Sequence, residues 1–176
     1  MKTKKSKVLE HANFKFTVDN HIPIVDIKSH PKLNRFISLA KSMSEISIFN
    51  KFRIGAVLVM RGKVIARGYN STKGHPLQKK YNELRVDMGE NSHHPIHAEM
   101  DVLKQLKSVD LRGAEMYIYN LNTQGEQRMA RPCAACMAAI KKHGIGIIHY
   151  STPEGFATEY IDPKQKIIVK KGKRPI

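Results

Sequence analysis

The order of apolar and polar residues predicts alternating helices and strands. Apolar residues recur at three- and four-residue spacing over 31–46, which predicts an amphipathic helix that opens on a proline. Two apolar, β-branched runs follow at 54–59 and 64–69, and a short glycine-containing turn separates them. Together these runs predict a β-hairpin.

The second half of the chain repeats a strand–helix–strand pattern. Helices are predicted over 97–108 and 132–143, and strands over 116–119 and 145–150. Residues 155–160 are expected to form a short helix or a loop. This order predicts an α/β fold in which helices cover a mixed sheet.

One domain, residues 31–160, is expected between two basic terminal segments, an N-terminal arm at 1–30 and a C-terminal tail at 161–176. The polar stretch 71–96 lacks a clear period, and we interpret it as an insertion or lid, because long connections within a domain are usually functional or disordered. A short strand is expected at 14–18, an extended segment at 22–24 and another short strand at 166–170.

The chain is strongly basic, with 31 Lys and Arg against 15 acidic residues and a net charge of +16. About half of this excess lies in the two terminal segments. The excess positive charge either keeps the protein soluble or attracts a polyanionic partner, such as nucleotide phosphates or nucleic acid. No apolar run approaches the roughly 20 residues that span a bilayer. We therefore expect a soluble cytoplasmic protein that does not bind membranes.

Two short motifs carry metal and acid–base chemistry. His97 and Glu99 begin one predicted helix, and Cys133 and Cys136 begin another, directly after Pro132. Cysteines three residues apart share a helix face, so both can reach one ion. His and Cys suit zinc, and three protein ligands with one open position are typical of a catalytic zinc. One Zn²⁺ per chain is expected, with Glu99 moving protons.

Each residue also has a plainer explanation. The cysteines could be core residues or a redox pair, His97 a paired polar residue, and Glu99 a first-turn charge. All these explanations would have to hold together, whereas His-x-Glu followed by Pro-Cys-x-x-Cys is the signature of zinc-dependent nucleobase deaminases. The combined pattern therefore favours the catalytic interpretation.

From about Arg35 to Tyr150, the chain resembles the cytidine/deoxycytidylate deaminase superfamily. The two zinc motifs, the run 54–59 and the sequence Gly68-Tyr69-Asn70 carry the resemblance. It implies a three-layer α/β/α fold with a central mixed five-stranded sheet. It also implies hydrolytic conversion of a cytosine base to uracil, in which Glu99 protonates ring N3 and helps ammonia leave.

The resemblance further implies substrate contacts. Asn70 corresponds to a residue that binds the substrate sugar, and the backbone of Ala98 to one that contacts the pyrimidine carbonyl. The alternative for Asn70 is that it only terminates a strand.

Other candidates come from the residues themselves. Arg128 and Arg131 flank the second motif and are candidate phosphate contacts, since arginine forks match phosphate oxygens. Further candidates for phosphate are Lys79, Lys80 and Arg85, and a solvated basic loop explains each of these basic residues equally well. Tyr150 and Phe156 are candidates for the pocket border, with core packing as the default for both. His75, His93 and His94 lie in the insertion, where exposed loop histidines are favoured over a second metal site.

The substrate class remains open at this level. Gly68-Tyr69-Asn70 and the long insertion are most similar to deoxycytidylate deaminases, which favours a free deoxycytidine nucleotide. The cysteine motif, however, lacks the Pro-Glu pair often found between those cysteines. The alternative is a deaminase acting on cytosine or adenine in single-stranded DNA or tRNA, which the basic charge favours. A homo-oligomer is expected from the resemblance.

Overall fold

The computed structural model describes residues 7–11, 14–18, 21–24, 27–83 and 93–162. The expected strand at 166–170 and Arg85 lie outside these residues. The helices are α1 (Pro31–Ile46), α2 (Pro76–Asn82), α3 (Ala98–Leu103) and α4 (Ala134–Lys142). The strands are β1 (Lys7–His11), β2 (Phe14–Val18), β3 (His21–Ile24), β4 (Phe52–Met60), β5 (Lys63–Tyr69), β6 (Ala114–Asn122), β7 (Gln127–Arg128), β8 (Ile147–Thr152) and β9 (Gly155–Tyr160).

The central sheet is mixed, with the strand order β3-β9-β8-β6-β4-β5, and the short β7 pairs with β6. Only the pair β6–β8 is parallel among the described pairings, and α4 supplies its crossover. The five strands β4, β5, β6, β8 and β9 form the expected mixed sheet. Strand β3, from the segment assigned to the N-terminal arm, extends its edge by pairing with β9. The expected strand at 14–18 is β2, which forms a separate hairpin with β1.

Helices cover both faces of the sheet and divide the core in two. One cluster packs α1 residues such as Phe36 and Ala40 against Val57 and Tyr117. The other cluster lies on the opposite face and contains residues of α3 and α4, among them Ala98 and Cys136. The three-layer α/β/α fold is therefore confirmed, and the candidate metal ligands belong to the second face.

Strand β4 is the centre of this arrangement because it is covered on both faces. Residues 56–59 are all buried, so an apolar run replaces simple alternation, as expected for a doubly covered strand. Gly55 lets α1 approach closely, since a Cβ atom there would lie 2.2 Å from the Ala40 carbonyl oxygen. The helix could not take this position over a larger residue.

Two elements differ from the sequence-based expectation. Residues 155–160 form β9, so the expectation of a short helix or loop was wrong. Three consecutive buried residues, 157–159, hide the period of a strand that pairs on both sides with β8 and β3. The insertion contains α2, which begins at Pro76 after the N-cap residue His75. This start agrees with the preference for proline in the first helical turn.

Candidate metal centre and active site

Two helix starts bring the metal-binding side chains together. His97 is the N-cap residue of α3 and Cys133 is the N-cap residue of α4, and neither side chain makes a capping hydrogen bond. Cys136 lies in the first turn of α4, where it is fully buried. Neither N-cap side chain is therefore engaged in capping its own helix.

The ligand atoms have the spacing that zinc requires. Nδ1 of His97 lies 3.6 Å from Sγ of Cys133 and 3.4 Å from Sγ of Cys136. A nitrogen and a sulfur on one tetrahedral zinc, with bonds of about 2.1 and 2.3 Å, lie about 3.6 Å apart. All three ligand atoms lie within 4.8 Å of one another. The residues present therefore fit a zinc ion, with Nδ1 as the histidine ligand atom.

The two thiols have opposite proton affinities. The hydrogen bond from Cys136 and the neighbouring His97 hold the pKa of Cys133 well below its ordinary value, against the effect of burial. Burial and the neighbouring Cys133 raise the pKa of Cys136. Because thiolates are the metal-binding form, a metal ion held here would release any proton that the two thiols carry.

Glu99 is a buried carboxylate beside these ligands. Its side chain is 3% exposed, and its Oε2 atom has no hydrogen-bond partner among the described residues. Burial raises the pKa of Glu99, against the opposing effect of His97. An unpaired buried carboxyl oxygen is costly and is usually found where function requires it. The side chain is therefore able to exchange a proton with a group bound at the metal centre.

The sequence of residues 30–152 matches the family model for the cytidine and deoxycytidylate deaminase zinc-binding region. This match covers more than half of the chain and includes both motifs. The chain belongs to the cytidine and deoxycytidylate deaminase family. It is a zinc-type hydrolytic deaminase.

Solved structures with similar folds include deaminases of both kinds. The deaminase is similar to cytidine deaminase from Burkholderia pseudomallei, with 17% identity, a TM-score of 0.50 and coverage of 72% of this chain and 91% of that chain. It is also similar to dCMP deaminase from the cyanophage S-TIM5, with 21% identity, a TM-score of 0.48 and coverage of 69% and 82%. No curated protein matches the chain.

Asn70 of the deaminase is bonded to its own framework. Its Oδ1 accepts hydrogen bonds from the Ile54 N–H, at 2.7 Å, and the Ser47 hydroxyl, at 2.8 Å, and its Nδ2 donates to the Phe52 carbonyl at 3.0 Å. The side chain therefore fastens the end of β5 to the start of β4. The Asn70 amide has a second N–H besides the one that bonds to Phe52.

Ala98 is the first residue of α3 and is fully buried. The first N–H groups of a helix have no acceptor within that helix. Its backbone N–H therefore points out of the helix start beside His97 and Glu99. The side chain itself offers only bulk, so any contact to a pyrimidine carbonyl belongs to the backbone.

The two arginines expected to bind phosphate have different surroundings. Arg131 forms a two-pronged ion pair with Glu159, with distances of 2.7 and 2.8 Å, and its side chain is only 15% exposed. The structure thus shows an internal partner for Arg131 in place of a free phosphate-binding fork. Arg128 is 52% exposed and contacts Glu126 at the surface.

The remaining candidates from the sequence lie in different surroundings, at the surface or in the core. Lys79 and Lys80 are exposed on α2, and Tyr150 is fully buried in the core cluster that contains the ligands. Phe156 packs against Tyr119 in the cluster under α1, on the other face of the sheet, in agreement with core packing as the default for an aromatic residue.

The insertion histidines each have a separate hydrogen-bond partner. His75 caps α2, His93 contacts the Thr72 carbonyl, and His94 contacts Asn82. In the part of the chain that the structure describes, His97, Cys133 and Cys136 form the one convergent group of metal-binding side chains.

Within the same described residues, no helix is long and apolar enough to cross a membrane.

Sequence reasoning missed Gln78. Its side chain is fully buried, and its Oε1 accepts a hydrogen bond from the backbone N–H of His97 at 3.0 Å. The sequence offered only an indirect signal, the His75-Pro76 start of the helix that carries it.

Proposed function

We propose that the protein hydrolyses the C4 amino group of cytosine in a free deoxycytidine nucleotide, giving the uracil nucleotide and ammonia. The observation that carries this proposal is the unpaired carboxyl oxygen of Glu99, buried beside three convergent zinc ligands. A hydrolytic deamination needs an activated water and one group that moves protons several times. The site has the residues for both.

Each residue has a separate task. His97, Cys133 and Cys136 would hold a zinc ion, whose chemistry would be to lower the pKa of a water towards neutrality. Glu99 accepts a proton from the attacking water, delivers it to ring N3 and then assists the departure of ammonia. Burial raises the pKa of Glu99, which favours holding a proton between its removal from water and its delivery to the ring. The Ala98 N–H donates to the pyrimidine carbonyl, and the second Asn70 N–H donates to the sugar.

The preference for a nucleotide over a nucleoside rests on the basic residues around the site. Arg128 is exposed and lies between β6 and the second zinc motif, and Lys79 and Lys80 are exposed on the insertion helix. An arginine fork recognises phosphate oxygens in a planar, two-pronged geometry. We propose Arg128 as the first phosphate contact, and Arg131 as a residue that supports the same loop through Glu159.

The net charge of +16 favours a second candidate, a deaminase of single-stranded DNA or tRNA. In that case the basic terminal segments bind the polynucleotide backbone. The base must still reach the same buried Glu99, so the reaction chemistry is unchanged. The two candidates differ in the substrate that carries the base.

Ammonia release from the zinc-loaded full chain separates these candidates. The substrates are deoxycytidine monophosphate, deoxycytidine, adenosine monophosphate, single-stranded oligonucleotides and tRNA. We expect turnover on deoxycytidine monophosphate, with a lower KM than for deoxycytidine. Turnover confined to oligonucleotides or tRNA would replace the metabolic function by the second candidate.

A matched pair of arginine variants tests the phosphate contact. Arg128→Gln should raise KM for deoxycytidine monophosphate and leave KM for deoxycytidine unchanged. Arg112→Gln is the control, because Arg112 is also exposed and paired with a nearby acid, Asp110. Equal KM changes in both variants would assign the effect to net charge alone.

We also propose that the chain forms a homo-oligomer. The support is an apolar surface patch between α1 and β4. Its members are Ile46, Ile48 and Phe52, which are 54%, 84% and 39% exposed. Contiguous exposed apolar residues commonly mark an interface.

A further inference from the structure

A chain of buried amide side chains leads from α2 to the backbone of His97. Gln78 Oε1 accepts from the His97 N–H at 3.0 Å, and Gln78 Nε2 donates to Asn82 Oδ1 at 2.7 Å. Asn82 Nδ2 then lies 2.9 Å from Nδ1 of His94. Gln78 is fully buried and Asn82 is 2% exposed. The insertion is thereby connected directly to a metal ligand.

The His97 N–H fixes the direction of every bond in this chain. A backbone N–H can only donate, so the Gln78 oxygen must face His97 and its nitrogen must face Asn82. The Asn82 oxygen therefore faces Gln78, and its nitrogen donates to the His94 ring. Only one orientation of both amides satisfies all the bonds, and hydrogen bonds aligned in this way strengthen one another.

Helix α3 does not form a capping box of its own, because its N-cap side chain makes no capping hydrogen bond. In a capping box, the N-cap side chain bonds to the helix, and a polar residue at N3 bonds back to the N-cap N–H. Here the N-cap side chain is His97, whose Nδ1 faces the two thiols. The N3 residue is Met100, which has no N–H or oxygen in its side chain. Gln78 supplies the missing bond from another helix.

We propose that Gln78 is a positioning residue for the metal ligand His97, and that Asn82 fixes the orientation of the Gln78 amide. By holding the N-cap N–H, Gln78 sets where the His97 backbone enters α3 and hence where Nδ1 lies relative to the cysteine sulfurs. The inference rests on the proposed function only in assigning His97 as a zinc ligand. It makes part of the insertion a support for the metal centre.

The test compares zinc affinity, measured by chelator competition on the full chain. Gln78→Met keeps the length of the side chain but removes the acceptor, and should weaken zinc binding by about 10-fold or more, as expected for loss of a group that supports a ligand. Gln78→Glu keeps an oxygen facing His97, so its zinc affinity should stay close to that of the unaltered protein.

Gln127→Met is the matched control. Gln127 is a half-buried glutamine whose side chain makes three hydrogen bonds, to Tyr119, Thr152 and Gly155. Its loss should lower stability without changing zinc affinity. Equal zinc affinity in Gln78→Met and the unaltered protein would overturn the proposal, as would equal losses in Gln78→Met and Gln127→Met.

Two further measurements keep the test decisive. Substituted Co²⁺ reports ligand geometry by absorption, and its spectrum should change in Gln78→Met and not in Gln127→Met. If Gln78→Met does not fold, Asn82→Ala leaves Gln78 in place but frees its amide to rotate. That variant should show a smaller loss of zinc affinity, and an unchanged affinity would contradict the proposal.

Zinc affinity needs no substrate, so the two conclusions can fail separately. A protein that deaminates no cytosine nucleotide, yet loses zinc affinity in Gln78→Met, contradicts the proposed function and supports the positioning role. An active deaminase whose Gln78→Met variant binds zinc normally supports the proposed function and contradicts the positioning role.

Discussion

Glu99 and His149 are both buried ionisable residues, but their surroundings give them different roles. Glu99 leaves one carboxyl oxygen without a partner beside the zinc ligands. His149 has partners for both ring nitrogens, Thr158 Oγ1 at 2.8 Å and Glu115 Oε2 at 3.4 Å, and stacks on Tyr117. Unmet hydrogen-bonding capacity, and not burial alone, distinguishes Glu99, the proposed proton-transfer residue, from His149.

His149 makes the stability of the fold sensitive to acid. Burial lowers the pKa of His149 below its ordinary value of 6.5, although Glu115 acts in the opposite direction. The unfolded chain therefore takes up a proton first as the pH falls below about 6.5, which favours unfolding. The stabilisation due to neutral His149 is present above that pH and is lost as the pH falls towards the pKa of the folded protein.

The variant His149→Gln isolates this effect. Urea unfolding at about pH 7.5 and about pH 5.5 should show that the stability advantage of the unaltered protein over the variant shrinks in acid. Taking the difference cancels the acid sensitivity of the zinc ligands, which both proteins share. An advantage that is equal at both pH values, or larger in acid, would show that His149 does not titrate in this way.

At the residue scale, local spacing predicted that Cys133 and Cys136 lie together, because positions within one helical turn are neighbours in any fold. The zinc-deaminase signature added His97, which is 36 positions from Cys133. Gln78 was not predictable, since its bond to His97 crosses 19 positions and depends on a helix in a stretch without clear period. The ion pair of Arg131 was not predictable for a similar reason. Its partner Glu159 lies in β9, which the sequence did not reveal as a strand.

At the scale of elements, the close contact between α1 and β4 determines the position of a whole layer. At Gly55, a Cβ atom would lie 2.2 Å from the Ala40 oxygen and 2.3 Å from the Ser44 nitrogen, both backbone atoms. Backbone cannot move aside as a flexible side chain can. The helix would have to shift.

Gly55→Ala is therefore expected to lower the free energy of unfolding by about 1–3 kcal/mol or more, the range for overpacked cores. The zinc site lies on the other face of the sheet, so zinc content should be unchanged. Gly146→Ala is the control, because no atom lies within 4 Å of a Cβ there. Denaturant unfolding measures both variants, and equal stabilities would contradict the close packing.

The elements were predictable where burial follows a single period. The hairpin, α1 and α4 have clear patterns, and the structure contains all three. Strand β9 was not recognised because three successive residues are buried, on both faces of the sheet, which removes the alternation that identifies a strand. Strand β3 completes the sheet from a segment whose residues indicated only an extended stretch.

At the scale of the whole molecule, charge and apolar surface have to be explained together. A net charge of +16 opposes the association of copies at low salt, whereas the apolar patch of Ile46, Ile48 and Phe52 favours it. We therefore expect a second copy of the chain to cover this apolar patch in the homo-oligomer.

Ile48→Lys tests the homo-oligomer directly. Light scattering should give an oligomeric mass for the unaltered protein and a lower mass for this variant, because a charge at the most exposed apolar position disfavours burial. Val109→Lys is the control, since Val109 is also exposed, at 45%, but lies outside the patch. A monomeric unaltered protein would refute the assembly, and an unchanged mass in Ile48→Lys would refute this interface.

Deamination of cytosine is expected to need both the zinc centre and the buried Glu99 carboxylate. The decisive experiment measures zinc content and ammonia release from deoxycytidine monophosphate for the unaltered protein and Glu99→Gln. We predict one zinc per chain in both proteins and a rate about 10²–10⁴-fold lower in the variant. Near-normal turnover in zinc-loaded Glu99→Gln would contradict the proton-transfer role, and loss of zinc would show instead that Glu99 is needed to hold the metal.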